Sequence, residues 1–126
     1  MKYLTIDPSG TGTTGLFFVD TQTEQEEFTQ YQSTNWQDHL KFLIDYIQTK
    51  QPTQVIYEST NYIHKQTKDG LSLFKLFGGI ESFKYLFPSI QKVDSISVIP
   101  VKSFYKKLYA GQEQIANLIY KRGRDG

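Results

Sequence analysis

The chain contains no cysteine. That excludes disulfide frameworks, thiolate zinc sites and cysteine nucleophiles, and it fits a reducing, cytoplasmic setting. Long apolar runs are also missing. The first, Tyr3–Ile6, stops at Asp7-Pro8, too short for a secretory leader. Nothing approaches the roughly 18 consecutive apolar residues of a membrane span, so no membrane partner is expected. Repeats, low-complexity tracts and linkers are absent, and residues 1–126 are expected to form one domain able to bury a core without staples. Net charge is nearly absent at +1, yet it is unevenly placed. Residues 1–60 carry three lysines and eight acids; residues 61–126 carry eleven basic and five acidic residues. A negative half followed by a positive half suits an acidic metal site beside a basic binding surface, although scatter around neutrality is an equal reading of charge alone.

What the chain does have is apolar and aromatic residues, including nine Phe and nine Tyr, arranged with clear period. Lys2–Asp7 alternates into a strand that ends at Pro8. Asp7-Pro-Ser-Gly-Thr-Gly-Thr-Thr-Gly15 is a turn rich in glycine and small hydroxyls. Leu16–Val19 and Glu26–Gln32 read as two further strands, giving an antiparallel meander. Ser33-Thr34-Asn35 offers a helix cap with Asp38 in the first turn, and Trp36, Leu40, Leu43, Ile44 and Ile47 recur at helical spacing. After Gln51-Pro52-Thr53, Gln54–Tyr57 forms a short strand ending at Glu58, and residues 59–68 read as a polar loop. Leu71, Phe74, Phe77 and Phe83 mark a second helix closed by Pro88. Ile96–Ile99 reads as a fifth strand ended by Pro100; Val101–Tyr109 and Gln112–Tyr120 read as short helices split by Gly111. The order βββ-α-β-α-β-α predicts an α/β fold, a mixed five-stranded sheet flanked by helices.

Two acids end apolar strands in this scheme, Asp7 and Glu58. Strand ends in a mixed sheet can lie side by side, and two close carboxylates repel unless a cation sits between them. Mg²⁺ or Mn²⁺ suits a few carboxylates completed by water and substrate phosphate, the donor set of phosphodiester hydrolysis. Asp7 alone is equally read as a cap of its own turn, and Glu58 as a solvated strand end. The Ser9–Gly15 turn is not a P-loop, because no Lys follows its glycines and a strand comes next. A wide hairpin turn is the favoured reading over a phosphate cradle.

Asp7-Pro-Ser-Gly-Thr-Gly-Thr-Thr-Gly15 resembles the opening Asp-Pro-Gly…Thr-Gly signature of RuvC-type Holliday-junction resolvases, here one residue longer. Val55-Ile-Tyr-Glu58 is similar to that family's second acidic strand. Lys102–Ile119 resembles its basic segment, with Lys106, Gly111, Glu113 and Gln114 matching best. The resemblance runs through nearly the whole chain and implies an RNase H-like fold. It also implies Asp7 and Glu58 as catalytic, metal-binding carboxylates, a divalent metal cofactor, branched DNA as partner and a homodimer. Departures are Gln112 where the family places Lys, and the absence of a further acidic helix. Asp125 lies in a Gly-flanked basic tail and reads as a solvated charge, so the 126 residues are expected to lack the final catalytic helix.

Lys65, Lys68, Lys106, Lys107, Lys121, Arg122 and Arg124 are candidate phosphate contacts, each singly also an ordinary surface charge. The resemblance places a base-stacking aromatic at Tyr62, which is equally read as a loop residue folded onto the core. His64 reads as a loop histidine more readily than as a proton carrier. Gly78 and Gly79 interrupt an apolar helix, where each costs roughly 1 kcal/mol relative to Ala. Close backbone approach would offset that cost, either within the chain or, as the resemblance implies, at a dimer interface with Phe74. The expected function is a divalent-metal-dependent, structure-selective DNA endonuclease. The alternatives are another RNase H-like nuclease of the pre-ribosomal-RNA processing type and a nucleic-acid-binding domain without a full catalytic set. Sugar-kinase and actin-type ATPases open with a similar hairpin but need a much longer chain.

Overall fold

The structure is a computed structural model that describes residues 1–59 and 68–97. Strands β1 (Lys2–Asp7), β2 (Thr13–Asp20) and β3 (Gln25–Gln32) form the antiparallel meander. They are followed by α1 (Trp36–Lys50), β4 (Gln54–Ser59), α2 (Lys68–Glu81), the single turn α3 (Phe83–Leu86) and β5 (Lys92–Ser97). The sheet order is β3-β2-β1-β4-β5, with β4 parallel to β1 and β5 parallel to β4. This is the mixed five-stranded sheet expected from the sequence. No described helix is long and apolar enough to cross a membrane.

Side chains alternate along a strand, so each strand supplies two faces. One face carries Leu4, Ile6, Leu16, Phe18, Val55 and Tyr57, and it packs against Leu43, Ile47, Leu76, Ile80 and Phe83 of the helices. These residues are nearly all fully buried, and large-to-small changes among them cost about 2–5 kcal/mol each. The opposite face is buried as well: Thr5, Phe17, Val19 and Ile56 are at most 5% exposed. Burial on both faces explains the near-continuous apolar run of β2.

Local chemistry sets the helix ends. Ser33 Oγ donates to Asp38 Oδ2 at 2.9 Å and accepts the Asn35 N–H at 3.1 Å. Asn35 holds the N-cap position, but its side chain makes no cap bond there. Gln51, at φ 51°, closes α1 in the left-handed region before Pro52. The buried line of α1 is His39, Leu43 and Ile47, four residues apart. Leu40 and Ile44 flank it, and Trp36 is half-buried.

Two expected elements shift. The second helix does not run on to Pro88; it stops where the Ser82 N–H meets the Gly78 and Gly79 carbonyls, and Ser82 Oγ bonds Gly79 O at 2.6 Å. Leu71 (43% exposed) and Phe74 (50%) lie on its outer side, not in its apolar stripe; the buried line is Ser72, Leu76 and Ile80. The fifth strand begins at Lys92, four residues before the expected start, because register with β4 recruits the polar stretch Lys92–Ser95. The expected helices after Pro100 lie outside the described residues.

Candidate active site

The parallel pairing of β1 with β4 decides where the acids meet. Tyr3 pairs with Gln54 and Ile6 with Tyr57, so the next residues, Asp7 and Glu58, lie at the same level near the carboxyl ends of two adjacent strands. Asp7 also faces Gly15 across β2, and Glu58 faces Ile96 across β5. Both carboxylates project from the face that carries Thr5 and Ile56, away from the helix-packed core. Each is partly buried, and the two carboxyls are close enough to act on one another.

Burial first, and then the neighbouring Glu58 carboxylate, push the Asp7 carboxyl up to about 8. Burial also raises Glu58, while its hydrogen bond with Asp7 acts the other way. Two carboxyls placed this way favour keeping a proton over carrying two bare charges. A cation placed against both groups would remove the repulsion and release that proton. The donor set thus fits a hard divalent ion such as Mg²⁺ or Mn²⁺, whose remaining positions are taken by water or phosphate. Thr5 Oγ1, two residues before Asp7 on the same strand face, is a buried hydroxyl without a hydrogen-bond partner among the described residues. No group of three or more His, Asp or Glu side chains gathers among the described residues, so two carboxylates are what they supply.

The turn after Asp7 is held from several sides. The Ser9 N–H donates to Thr14 Oγ1 at 3.0 Å and the Gly12 N–H to Ser9 Oγ at 2.8 Å. Gly12 O accepts the Ser33 N–H at 3.1 Å. These amide donors are committed inside the chain, which supports the wide-turn reading over a phosphate cradle. Gly10 presses on α2: a Cβ there would lie 2.8 Å from Leu73 N and from Ser72 C.

The remaining candidates divide. Lys68 is exposed at the start of α2 and lines an open groove of about 480 Å³ with Asn35, Trp36, Leu71, Ser72 and Lys75. Lys75 Nζ lies 6.0 Å from the Trp36 ring centroid. Sequence reasoning named Lys68 but not Lys75 or Trp36, since their meeting depends on how α1 and α2 dock. Gly79 has an internal reason: a Cβ there would meet Leu40 Cδ1 at 2.7 Å, so the glycine brings α2 close to α1. Gly78 is exposed with nothing within 4 Å of a built Cβ. Tyr62, His64, Lys65, Lys106, Lys107, Lys121, Arg122, Arg124 and Asp125 lie outside the described residues.

The backbone can be compared with solved structures. T. thermophilus RuvC, solved in complex with a Holliday junction substrate, superposes with a TM-score of 0.61 at 15% identity, over 86% of this chain and 73% of that one. The fold is that of the RuvC-type resolvases. The yeast mitochondrial Holliday junction resolvase is similar too, with a TM-score of 0.55 at 13% identity, over 96% of this chain and 62% of that one. No family model matches the sequence, and no curated protein does. The RuvC-like fold is thus visible in the backbone at an identity too low for sequence matching. It is the RNase H-like α/β architecture that the strand order predicts.

Proposed function

We propose that this chain is a divalent-metal-dependent, structure-selective DNA endonuclease acting on four-way junctions. The observation that carries the reading is the Asp7–Glu58 pair: two partly buried carboxyls side by side near the ends of adjacent parallel strands. It stands on a backbone similar to RuvC in complex with a Holliday junction substrate and to the yeast mitochondrial Holliday junction resolvase. Asp7 and Glu58 would hold Mg²⁺ or Mn²⁺, which when bound supplies Lewis-acid stabilisation to a phosphodiester and acidifies water. The protein's own part is to orient both carboxylates from a rigid sheet. Lys68 and Lys75 beside Trp36 form a basic groove that suits a DNA strand, and Lys65, Lys106, Lys107, Lys121 and Arg122 are proposed to extend that phosphate contact. Tyr62 is proposed to stack on an unpaired base. The outer side of α2, with Phe74 and Gly78, is the proposed dimer contact.

The test is cleavage of a synthetic four-way junction in Mg²⁺ or Mn²⁺, beside binding of the same junction in a chelator. Metal-dependent cutting that Asp7→Asn and Glu58→Gln each abolish, with junction binding retained, supports the assignment. Cutting that survives either change removes it. A second reading, a junction-binding domain without hydrolysis, is favoured by one observation: no third carboxylate joins the pair among the described residues. Tight, salt-dependent junction binding with no cleavage in either metal selects it.

A further inference from the structure

His39 lies outside the carboxylate pair and is fully buried, an expensive place for a polar ring unless its nitrogens are matched. Both are. Nε2 lies 2.7 Å from the Ser33 carbonyl oxygen, and Nδ1 lies 2.8 Å from Thr14 Oγ1. A carbonyl can only accept, so Nε2 carries the ring proton. In the neutral ring Nδ1 is then an acceptor facing the Thr14 hydroxyl, which also has the Ser9 carbonyl oxygen within reach at 3.1 Å. The reverse tautomer would set a lone pair against the Ser33 oxygen at 2.7 Å.

The direction of donation can be followed outward. The Ser9 N–H donates to Thr14 Oγ1, the Thr14 hydroxyl reaches two acceptors, His39 Nδ1 at 2.8 Å and the Ser9 carbonyl oxygen at 3.1 Å, and His39 Nε2–H donates to Ser33 O. The Ser33 N–H donates back to Gly12 O in the same turn. The circuit joins the β1–β2 turn, α1 and the end of β3. Ser9 is two residues after Asp7, and Thr14 precedes Gly15, the β2 partner of Asp7. The backbone on both sides of that carboxylate is therefore gripped by a residue on a helix that carries none of the metal-binding candidates. Tyr31 packs edge-on against the ring at 5.3 Å and Phe42 stacks on Tyr31 at 4.6 Å, which limits how far the imidazole can turn.

We propose that His39 is a positioning residue: through Thr14 it fixes the turn that aims Asp7 at a bound cation. The inference rests on Asp7 and Glu58 being the cation-holding pair proposed above. The two bonds of the ring can be separated by substitution. Asn places its amide near the Nδ1 position and can keep the Thr14 contact; Gln reaches toward the Nε2 position and can keep the Ser33 contact. Both variants disturb packing, so stability alone does not distinguish them.

The experiment measures the complete chain and its His39→Asn, His39→Gln and Thr14→Val variants. The readouts are Mn²⁺ affinity by calorimetry, amide hydrogen exchange at Ser9 in a chelator, and the melting temperature. In the parent, ¹⁵N NMR should show His39 protonated at Nε2. His39→Gln and Thr14→Val should each weaken Mn²⁺ binding about three- to tenfold and speed Ser9 exchange about tenfold. His39→Asn should stay within about twofold of the parent in both, whatever it loses in melting temperature. The proposal is overturned if Mn²⁺ affinity merely follows melting temperature across the set, if Asn and Gln behave alike, or if Ser9 exchange is unchanged. No cleavage is read, so failure of the nuclease reading leaves this result intact. A parent that binds no Mn²⁺ would remove the metal site, and Ser9 exchange would still decide whether His39 holds the turn.

Discussion

The connection after Asp7 and the connection after Asp20 both turn the chain from one strand into its antiparallel neighbour, and both begin with an aspartate. After Asp20 the turn is solvent-exposed from Thr21 through Glu24, and Thr21 exchanges hydrogen bonds with Met1. Asp20 Oδ1 accepts the Gln22 N–H at 3.0 Å, and that backbone donor is the main reason its carboxyl is held below the ordinary value. After Asp7 the turn is half-buried and tied to Ser33, His39 and the α2 backbone. Its aspartate faces another carboxylate and is raised to about 8. The capping role that the sequence left open for Asp7 is the role Asp20 fills. A charge already matched by backbone N–H groups has nothing to offer a ligand; a charge kept beside a like charge does.

The sharpest test of that contrast is function. Asp7→Asn should lower metal-dependent junction cleavage by more than about a hundredfold, a loss expected for a metal-holding carboxylate. Asp20→Asn should leave the cleavage rate unchanged. Equal losses from both variants would mean the two aspartates do not differ in kind.

Acid–base linkage supplies the next test, with opposite signs for the two turns. A carboxyl raised in the folded chain holds a proton there after the unfolded chain has released its own. Its contribution is therefore full below the unfolded value of 3.8 and is lost as pH rises through about 8. In a chelator the parent should lose about 1–3 kcal/mol of stability between pH 5 and pH 8 from the pair, and Asp7→Asn should flatten that slope. Asp20 is lowered, so its contribution is present above the ordinary value and disappears on acidification through its folded value. Chelator unfolding curves across pH check both; a parent whose stability rises from pH 5 to pH 8 while Asp7→Asn does not follow would contradict the pair's assignment.

Much of this was legible in the residues. Alternation in Lys2–Asp7 and Glu26–Gln32 gave the meander, and an acid after each of two apolar strands located Asp7 and Glu58. The parallel register that brings those acids together belongs to no local stretch, and only the strand order hinted at it. The true start of β5 was hidden because Lys92–Ser95 is mostly polar and is a strand by pairing with β4. His39 is not among the candidates that the residues single out. The signal was its spacing of four from Leu43 and Ile47, a line on which a polar side chain has to find buried partners. Gly78 and Gly79 look equivalent in sequence, and only helix docking separates them, with Leu40 against one and open space beside the other.

Glycine substitution extends the comparison to space and strain. Gly10→Ala would set a Cβ 2.8 Å from helix backbone atoms of Ser72 and Leu73, which cannot swing aside as a side chain can. The expected cost is about 1–3 kcal/mol, read from denaturant unfolding. Because the turn moves with it, Mn²⁺ affinity should fall as well. A Gly10→Ala chain with parental stability and affinity would show that the turn after Asp7 is not pressed against α2.

The smallest effect belongs to the exposed turn. Glu24 adopts φ 59°, a left-handed conformation in which a Cβ crowds the backbone. Its neighbours from Thr21 are exposed, so the conformation answers to the local bonds of the hairpin and not to packing. Gly at this position removes the crowding, while the unfolded chain gains freedom that partly offsets the benefit. Glu24→Gly should therefore stabilise the chain by about 0.5–1 kcal/mol, visible as a higher denaturant midpoint with an unchanged slope. Mn²⁺ affinity and junction cleavage should not move, because nothing in this turn reaches the carboxylate pair. A change in cation affinity on Glu24→Gly would mean that the two connections communicate through β2. The separation of a structural turn from a functional one would then have to be abandoned.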